Sequence, residues 1–218
     1  MKPDKLYKYP RTLHFPWSQG LMNDDRMVKS LDHFIGKEVV ATLKMDGKNS
    51  NFYNDYIHAR SLDKDYHESR TWVNKLHGEI GYMLKPGERI CGENVAAVHS
   101  IKYENLDSFF YVFSYWIDNE CQSWDDTVKR CDELGLITVP VLYRGIWDEE
   151  IIKGLANTHY KGNEMEGYVV RITEKFTEDF SLGTERWIKG LAKYVRKSHV
   201  QTDEHWKTKP VEWNNWKS

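Results

Sequence analysis

One stretch constrains the fold more than any other: the apolar run Glu38-Val39-Val40-Ala41-Thr42-Leu43, which ends in Lys44-Met45-Asp46-Gly47-Lys48-Asn49. β-branched and apolar residues running into an Asp-Gly turn signal read as a buried strand. Residues 38–44 and 50–60 therefore read as a strand pair around that turn. A strand holds the lysine on a rigid element, and the glycine lets a bulky ligand come close. A lysine amine acts as a nucleophile where burial or neighbouring cations lower its pKa. The same six residues also suit a surface lysine ahead of an ordinary hairpin turn, so the rest of the chain has to decide.

Further strands follow at Arg89-Ile90-Cys91-Gly92-Glu93-Asn94, at the aromatic run Phe109 to Trp116, at Ile137 to Tyr143 and at Glu166-Gly167-Tyr168-Val169-Val170-Arg171. Pro140 marks the third of these as an edge or a bulge. Trp72, Val73, Leu76, Ile80 and Met83 recur at helical spacing over residues 70–84. Asp125 to Leu134 reads as an amphipathic helix with Val128, Cys131 and Leu134 inward and Gly135 as its stop. Asp148 caps a short helix running to Ala156. Trp187 to Arg196 is rich in Lys and Arg. Residues 1–30 read as irregular, broken by Pro10, Pro16 and Gly20, with polar clusters at Trp17-Ser18-Gln19-Gly20 and Asn23-Asp24-Asp25-Arg26. Strands outnumber helices and mix freely with them, an α+β pattern rather than a doubly wound sheet.

Of the bulk properties, three matter. Lys plus Arg number 31 against 33 Asp plus Glu, so no global positive field marks a nucleic-acid partner and any basic surface is local. The three cysteines, Cys91, Cys121 and Cys131, are odd in number and far apart. That excludes a disulfide framework and fits a reducing compartment. No apolar run approaches the ~20 residues of a membrane span. The expectation is a cytoplasmic protein, with residues 1–218 as one domain, 1–30 as its N-terminal irregular segment and 203–218 as a Trp-bearing tail.

Polar groups stand at the strand ends in a fixed order: Lys44 with Asp46, Arg60, Glu93 after Gly92, Glu166 before Gly167, and the basic cluster Lys189, Lys193 and Arg196. This order resembles the covalent nucleotidyltransferase superfamily of ATP-dependent ligases and RNA-capping enzymes, and within it the ATP-dependent RNA ligases of the bacterial and bacteriophage type. Lys44-Met45-Asp46-Gly47 looks like that family's first motif, and Ala59-Arg60-Ser61 its Arg-Ser element. Cys91-Gly92-Glu93-Asn94 resembles its ribose-binding Gly-Glu, and Tyr111-Val112-Phe113-Ser114 its third motif. Glu166 to Arg171 resembles the fourth, and Ala192-Lys193-Tyr194-Val195-Arg196 the fifth. Leu13-His14-Phe15-Pro16-Trp17-Ser18, with Asp24-Asp25-Arg26, is similar to sequences that precede the nucleophile in this group. Lys-x-Asp-Gly alone is a weak signal; five motifs in order are a strong one.

The resemblance implies a ligase adenylation fold with mixed and antiparallel sheets flanked by helices and no OB domain. It implies that Lys44 attacks the α-phosphate of ATP, expels pyrophosphate and carries AMP. Lys193, with Lys189, would stabilise phosphate charge and hold the Lys44 pKa down. Glu166 would bind Mg²⁺ or Mn²⁺, Glu93 the ribose hydroxyls, and Phe113 the adenine face, with Tyr111 and Tyr115 as alternatives. Arg60 would grip a phosphate of the nucleotide or of an RNA end, and Arg196 would add to the nucleic-acid contact. Asp46 would act near the metal, hold the lysine or shape the turn, and Asn49 is a further candidate. RNA with nicked or broken ends would be the partner, joined 3′-OH to 5′-phosphate in RNA repair. Two departures stand out. No second lysine follows one residue after Lys193, and only about twenty residues follow the fifth motif, so an accessory domain or protein would supply further RNA affinity. The rival readings are a DNA ligase or RNA guanylyltransferase of the same superfamily, and a nucleic-acid-binding module in which Lys44 is incidental.

Overall fold

In the computed structural model of the chain, residues 6–21, 25–62, 67–161, 163–179, 187–197 and 210–217 are described. Asn23, Asp24 and residues 203–209 of the Trp-bearing tail, singled out above, lie outside them. The strands are β1 (Arg11–His14), β2 (Glu38–Leu43), β3 (Lys48–Phe52), β4 (Ile57–Ala59), β5 (Glu88–Asn94), β6 (Phe110–Ile117) and β7 (Glu120–Cys121). They continue with β8 (Ile137–Thr138), β9 (Val141–Ile146), β10 (His159–Tyr160), β11 (Asn163–Glu164), β12 (Gly167–Ile172), β13 (Phe176–Asp179) and β14 (Trp187–Val195). The helices are α1 (Thr71–Ile80), α2 (Trp124–Leu134) and α3 (Glu149–Gly154).

Hydrogen bonds link the strands in the order β4-β3-β5-β6-β7-β13-β14-β12-β2-β9, with β8 beside β6 and β1 beside β14. The path divides into two halves at β13, which pairs with β7 on one side and β14 on the other. The first half is backed by α1 and α2, through Val73, Ile80, Cys131 and Leu134 against Ile90, Phe110 and Val112. The second is backed by Phe15, Phe34 and Ile152 against Val39, Ala41, Tyr168, Val170, Ala192 and Tyr194. Between the halves, Val40, Leu43 and Met45 meet Tyr103, Leu106, Tyr111 and Val139. Val39 and Val40 are wholly buried on opposite faces of β2, and each buried side chain of this size contributes about 1.5–3 kcal/mol. A strand covered on both faces reads as a continuous apolar run, which is why 38–43 shows no alternation.

Several expectations are corrected. β2 and β3 are not a hairpin: β2 pairs with β12 and β9, whereas β3 pairs with β4 and β5. The Lys44–Gly47 segment carries the chain from one half to the other. Gly47 serves close approach, since a Cβ there would lie 2.5 Å from the Asn94 carbonyl oxygen and 2.9 Å from Val95 Cγ1. The run 137–143 is two strands in different halves, β8 on β6 and β9 on β2. They part at Pro140, whose ring nitrogen has no proton for a ladder and whose carbonyl accepts from Leu43 N–H. Residues 11–14 are not irregular but form β1, paired parallel to β14. The first helix ends at Ile80, followed by a 3-10 turn at Gly81–Met83.

The other local signals work as the residues dictate. Ser123 caps α2, its Oγ accepting from Asp126 N–H, and Gly135 closes it at φ 66°. Asp148 accepts from the N–H groups of Glu150 and Ile151 at the start of α3. The C-terminal segment docks along residues 95–106 through isolated bridges of Trp213 to Ala97 and of Trp216 to Leu106. Among the described residues, no helix is long and apolar enough to cross a membrane.

Candidate active site

A cavity of about 770 Å³ opens between the two halves, within the range of small-molecule sites. Period-2 alternation builds its wall from the second half. Tyr168 and Val170 of β12, and Ala192 and Tyr194 of β14, face the backing core. Thr42, Val169, Arg171, Leu191 and Lys193 line the cavity. In register, Val169 stands opposite Thr42 on one side and Lys193 on the other. From the first half come Arg60, Glu93, Phe113 and the Lys44–Asn49 segment.

Lys44 leaves β2 with its N–H bonded to the Gly167 carbonyl at 3.0 Å. That bond brings its side chain to Glu166, the residue before β12, and the Nζ is in short contact with Glu166 Oε1. The Glu166 side chain is nearly wholly buried and that of Lys44 is 28 % exposed. Gly167 is required by the fit: a Cβ there would lie 1.9 Å from the Tyr194 carbonyl oxygen. Burial opposes the charge on Lys44, but the carboxylates of Glu166, Glu93 and Asp46 outweigh it and hold the amine above its ordinary pKa. The expected lowering by nearby cations is not found, because carboxylates lie nearer. Burial pushes the Glu93 carboxyl up to about 8; Lys44 opposes this, and Glu166 and Asp46 add to it.

The bulge in the β5–β6 ladder fixes the aromatic question. Cys91 pairs with Ser114 and Gly92 with Val112, so Phe113 is the extra residue. An extra residue reverses which face later side chains take. Tyr115 therefore joins Phe110 and Val112 in the helix-side core and donates its hydroxyl to Glu88. Tyr111 is buried between the halves. Phe113 alone of the three lines the cavity, edge-on to Tyr9 with ring centroids 5.2 Å apart.

Asp46 is turned away from the cavity. Its Oδ2 accepts from the N–H and hydroxyl of Ser100 and from Ile101 N–H, and its own N–H donates to the Tyr103 hydroxyl. It shapes the turn. Lys193 reaches the cavity with its Nζ 3.3 Å from Asp25 Oδ1; burial, with the nearby Lys44, lowers its pKa although Asp25 opposes this. Arg60 lines the cavity. Lys189 is exposed and is not among the lining residues, nor is Arg196, which pairs with Glu164. Among the described residues, no group of three or more His, Cys, Asp or Glu is placed to hold a metal by itself. Sequence reasoning did not single out the cavity residues Tyr9, Arg11, His99 and Arg171. The aromatic-basic run Tyr7 to Arg11 was the available signal for two of them.

A family model described as RNA ligase matches residues 37–195. A search of curated proteins returns no match. Among solved structures, an apo mutant of Naegleria gruberi RNA ligase is similar at TM-score 0.58 and 15% identity, over 88% of this chain and 60% of that one. The same ligase with PPi gives TM-score 0.54 and 18% identity, over 91% of this chain and 62% of that one. A mutant with ATP and Mn gives 0.52 and 16%, over 77% and 52%. At these identities the likeness is one of fold. The chain spans about half to three-fifths of the length of these structures.

Proposed function

Because the chain belongs to the RNA ligase family, we propose that it is an ATP-dependent RNA ligase acting through a covalent lysyl-AMP on Lys44. The observation that carries this is the setting of Lys44. Its amine stands at a cavity of nucleotide size, against the buried Glu166 carboxylate, with Glu93, Phe113, Arg60 and Lys193 on the surrounding walls.

The amine of Lys44 attacks the α-phosphorus of ATP. The P–N bond forms, the P–O bond to pyrophosphate breaks, and the amine gives up a proton. Glu166 holds that amine as an ammonium, so the nucleophile is masked while the carboxylate faces it. The carboxylates present suit a divalent cation shared with nucleotide phosphates, which needs one or two protein carboxylates rather than a complete cage. Glu166, with Glu93 nearby, would hold Mg²⁺ or Mn²⁺, whose contribution is neutralisation of phosphate charge. If Glu166 held such a cation, Lys193 would remain a cationic neighbour and the Lys44 pKa would fall. Lys193 and Arg60 then face charge developing on the phosphate oxygens. Phe113 stacks on the base and Glu93 accepts from ribose hydroxyls.

AMP passes next to the 5′-phosphate of an RNA end. A 3′-hydroxyl attacks that phosphate, releases AMP and seals the strand, as RNA repair requires. Residues 1–218 act as the single nucleotidyltransferase domain in this scheme, and polynucleotide affinity beyond the cavity comes from an accessory domain or protein. The test is intact-protein mass after incubation with ATP and Mg²⁺. The expected result is an added AMP on the wild type, absent from Lys44→Ala and with GTP in place of ATP. No adduct with either nucleotide, even after pyrophosphate has stripped any pre-loaded AMP, overturns the proposal.

A further inference from the structure

The N-terminal segment wraps the strand that carries Lys193. In the parallel ladder His14 stands opposite Lys193, Phe15 N–H donates to the Lys193 carbonyl at 2.8 Å, and the N–H groups of Gln19 and Gly20 converge on the Val195 carbonyl. Inside this wrap runs a line of polar side chains. Val195 N–H donates to Ser18 Oγ at 3.0 Å. Ser18 Oγ lies 2.7 Å from His14 Nδ1. On the other side of the ring, His14 Nε2 faces Asp25 Oδ2 at 3.1 Å, and Asp25 Oδ1 faces Lys193 Nζ at 3.3 Å.

The proton order follows from the end groups. Ser18 already accepts from Val195 N–H, so its hydroxyl proton is turned to the nearer acceptor, His14 Nδ1, rather than to the Val195 carbonyl 3.4 Å away. That places the imidazole proton on Nε2, which lies 3.1 Å from Asp25 Oδ2 without the alignment of a full hydrogen bond. Asp25 then has one oxygen beside the His14 ring and the other beside the Lys193 ammonium. His14 is wholly buried, and burial, with Lys193 beside it, lowers its pKa to about 4, so the neutral ring is the form present near neutral pH.

We infer that His14 and Asp25, braced by Ser18, are positioning residues that fix the Lys193 ammonium at the cavity, where it meets the phosphate charge of the adenylation step. The inference rests on the lysyl-AMP reading above. His14 and Ser18 stand outside the cavity lining, and Asp25 reaches the cavity wall at the Lys193 ammonium. They remove the rotational freedom of a long, flexible side chain whose charge is useful only in one place. The line is also closed on itself: β14 supplies both the lysine and, two residues on, the N–H that sets the proton order.

The experiment is the single-turnover rate of AMP transfer to Lys44 at saturating ATP, with the KM for ATP alongside. Asp25→Ala and His14→Leu are expected to slow the rate by about 100-fold, the cost of a misplaced group, with KM little changed. His14→Gln keeps a donor near the Nε2 position and is expected to recover most of the rate lost in His14→Leu. The deciding comparison is additivity: Asp25→Ala added to Lys193→Ala should slow the reaction no further than Lys193→Ala alone. Equal slowing by Asp25→Ala in both backgrounds overturns the inference, as does His14→Gln behaving like His14→Leu. Asp25→Asn, with an unaltered shape, serves if Asp25→Ala fails to fold. If the wild type forms no adduct, the lysyl-AMP reading fails. The positioning is then read from the NMR signal of the Lys193 side-chain amine, which Asp25→Ala should shift; an unshifted signal overturns it.

Discussion

At the scale of single residues, the site is a crowd of carboxylates around one amine, and its pH behaviour follows from that. Glu93 holds its proton to about pH 8 in the folded chain against an ordinary 4.5. The unfolded chain ionises first, so stability falls as pH rises through that window. Glu93→Gln is therefore expected to raise the melting temperature of the empty protein, by about 3 °C or more near pH 8 and by less near pH 5. A pH-independent shift in calorimetry would contradict this. Glu166 acts in the opposite sense on Lys44, whose folded pKa it raises. Glu166→Gln should lower that pKa and speed acylation of Lys44 by an amine reagent at mildly alkaline pH, read by peptide mass mapping. The same substitution should slow AMP transfer by about 100-fold, the usual order for loss of one electrostatic partner. Lys44, Glu93, Phe113 and Glu166 were legible because each ends or interrupts a strand beside a glycine or an aromatic run. Tyr9 and Arg171 were not, and His14 and Asp25 were marked only by resemblance, with no role attached. What gives them their places is the pairing of residues 11–14 with a strand about 180 positions later, a separation that no local pattern encodes.

At the scale of elements, what was legible depended on whether a signal was local. The α2 helix was, because its cap, its apolar stripe and its glycine stop lie within thirteen residues of each other. Ser123→Ala is expected to cost about 1 kcal/mol, read as a lower urea midpoint. The apparent hairpin around Gly47 was misread because Asp-Gly signals a turn without naming the strands on either side of it. Gly47 is not among the glycines at positive φ, so no left-handed turn requires it; in Gly47→Ala the Asn94 carbonyl and Val95 must move. A loss of about 1–3 kcal/mol is expected, and an unchanged urea midpoint would refute the close contact. The run 137–143 failed for a similar reason. A strand signal does not say which sheet receives it, and one proline was enough to send its halves to different partners.

At the scale of the whole molecule, the two ends of the chain are both tied to the site. The C-terminal segment fastens the loop that holds Asp46. Buried Asn214 accepts from Tyr103 N–H and donates to the Val95 carbonyl, and the Tyr103 hydroxyl in turn accepts from Asp46 N–H. Asn214→Ala strands two buried groups, and a loss of ~1–3 kcal/mol is expected. Faster hydrogen exchange at the Ser100 and Ile101 amides should accompany it; unaltered exchange there would mean that the segment merely covers the loop. At the other end, β1 finds its partner in β14, and β2 in β12. During synthesis β1 emerges and waits for β14 before its neighbour exists. Lys44 leaves the ribosome well before Glu166 and Lys193. A nascent chain halted before residue 187 thus holds its reactive lysine without the wall that β14 supplies, so competence arrives as a late, single event rather than accumulating as the chain grows.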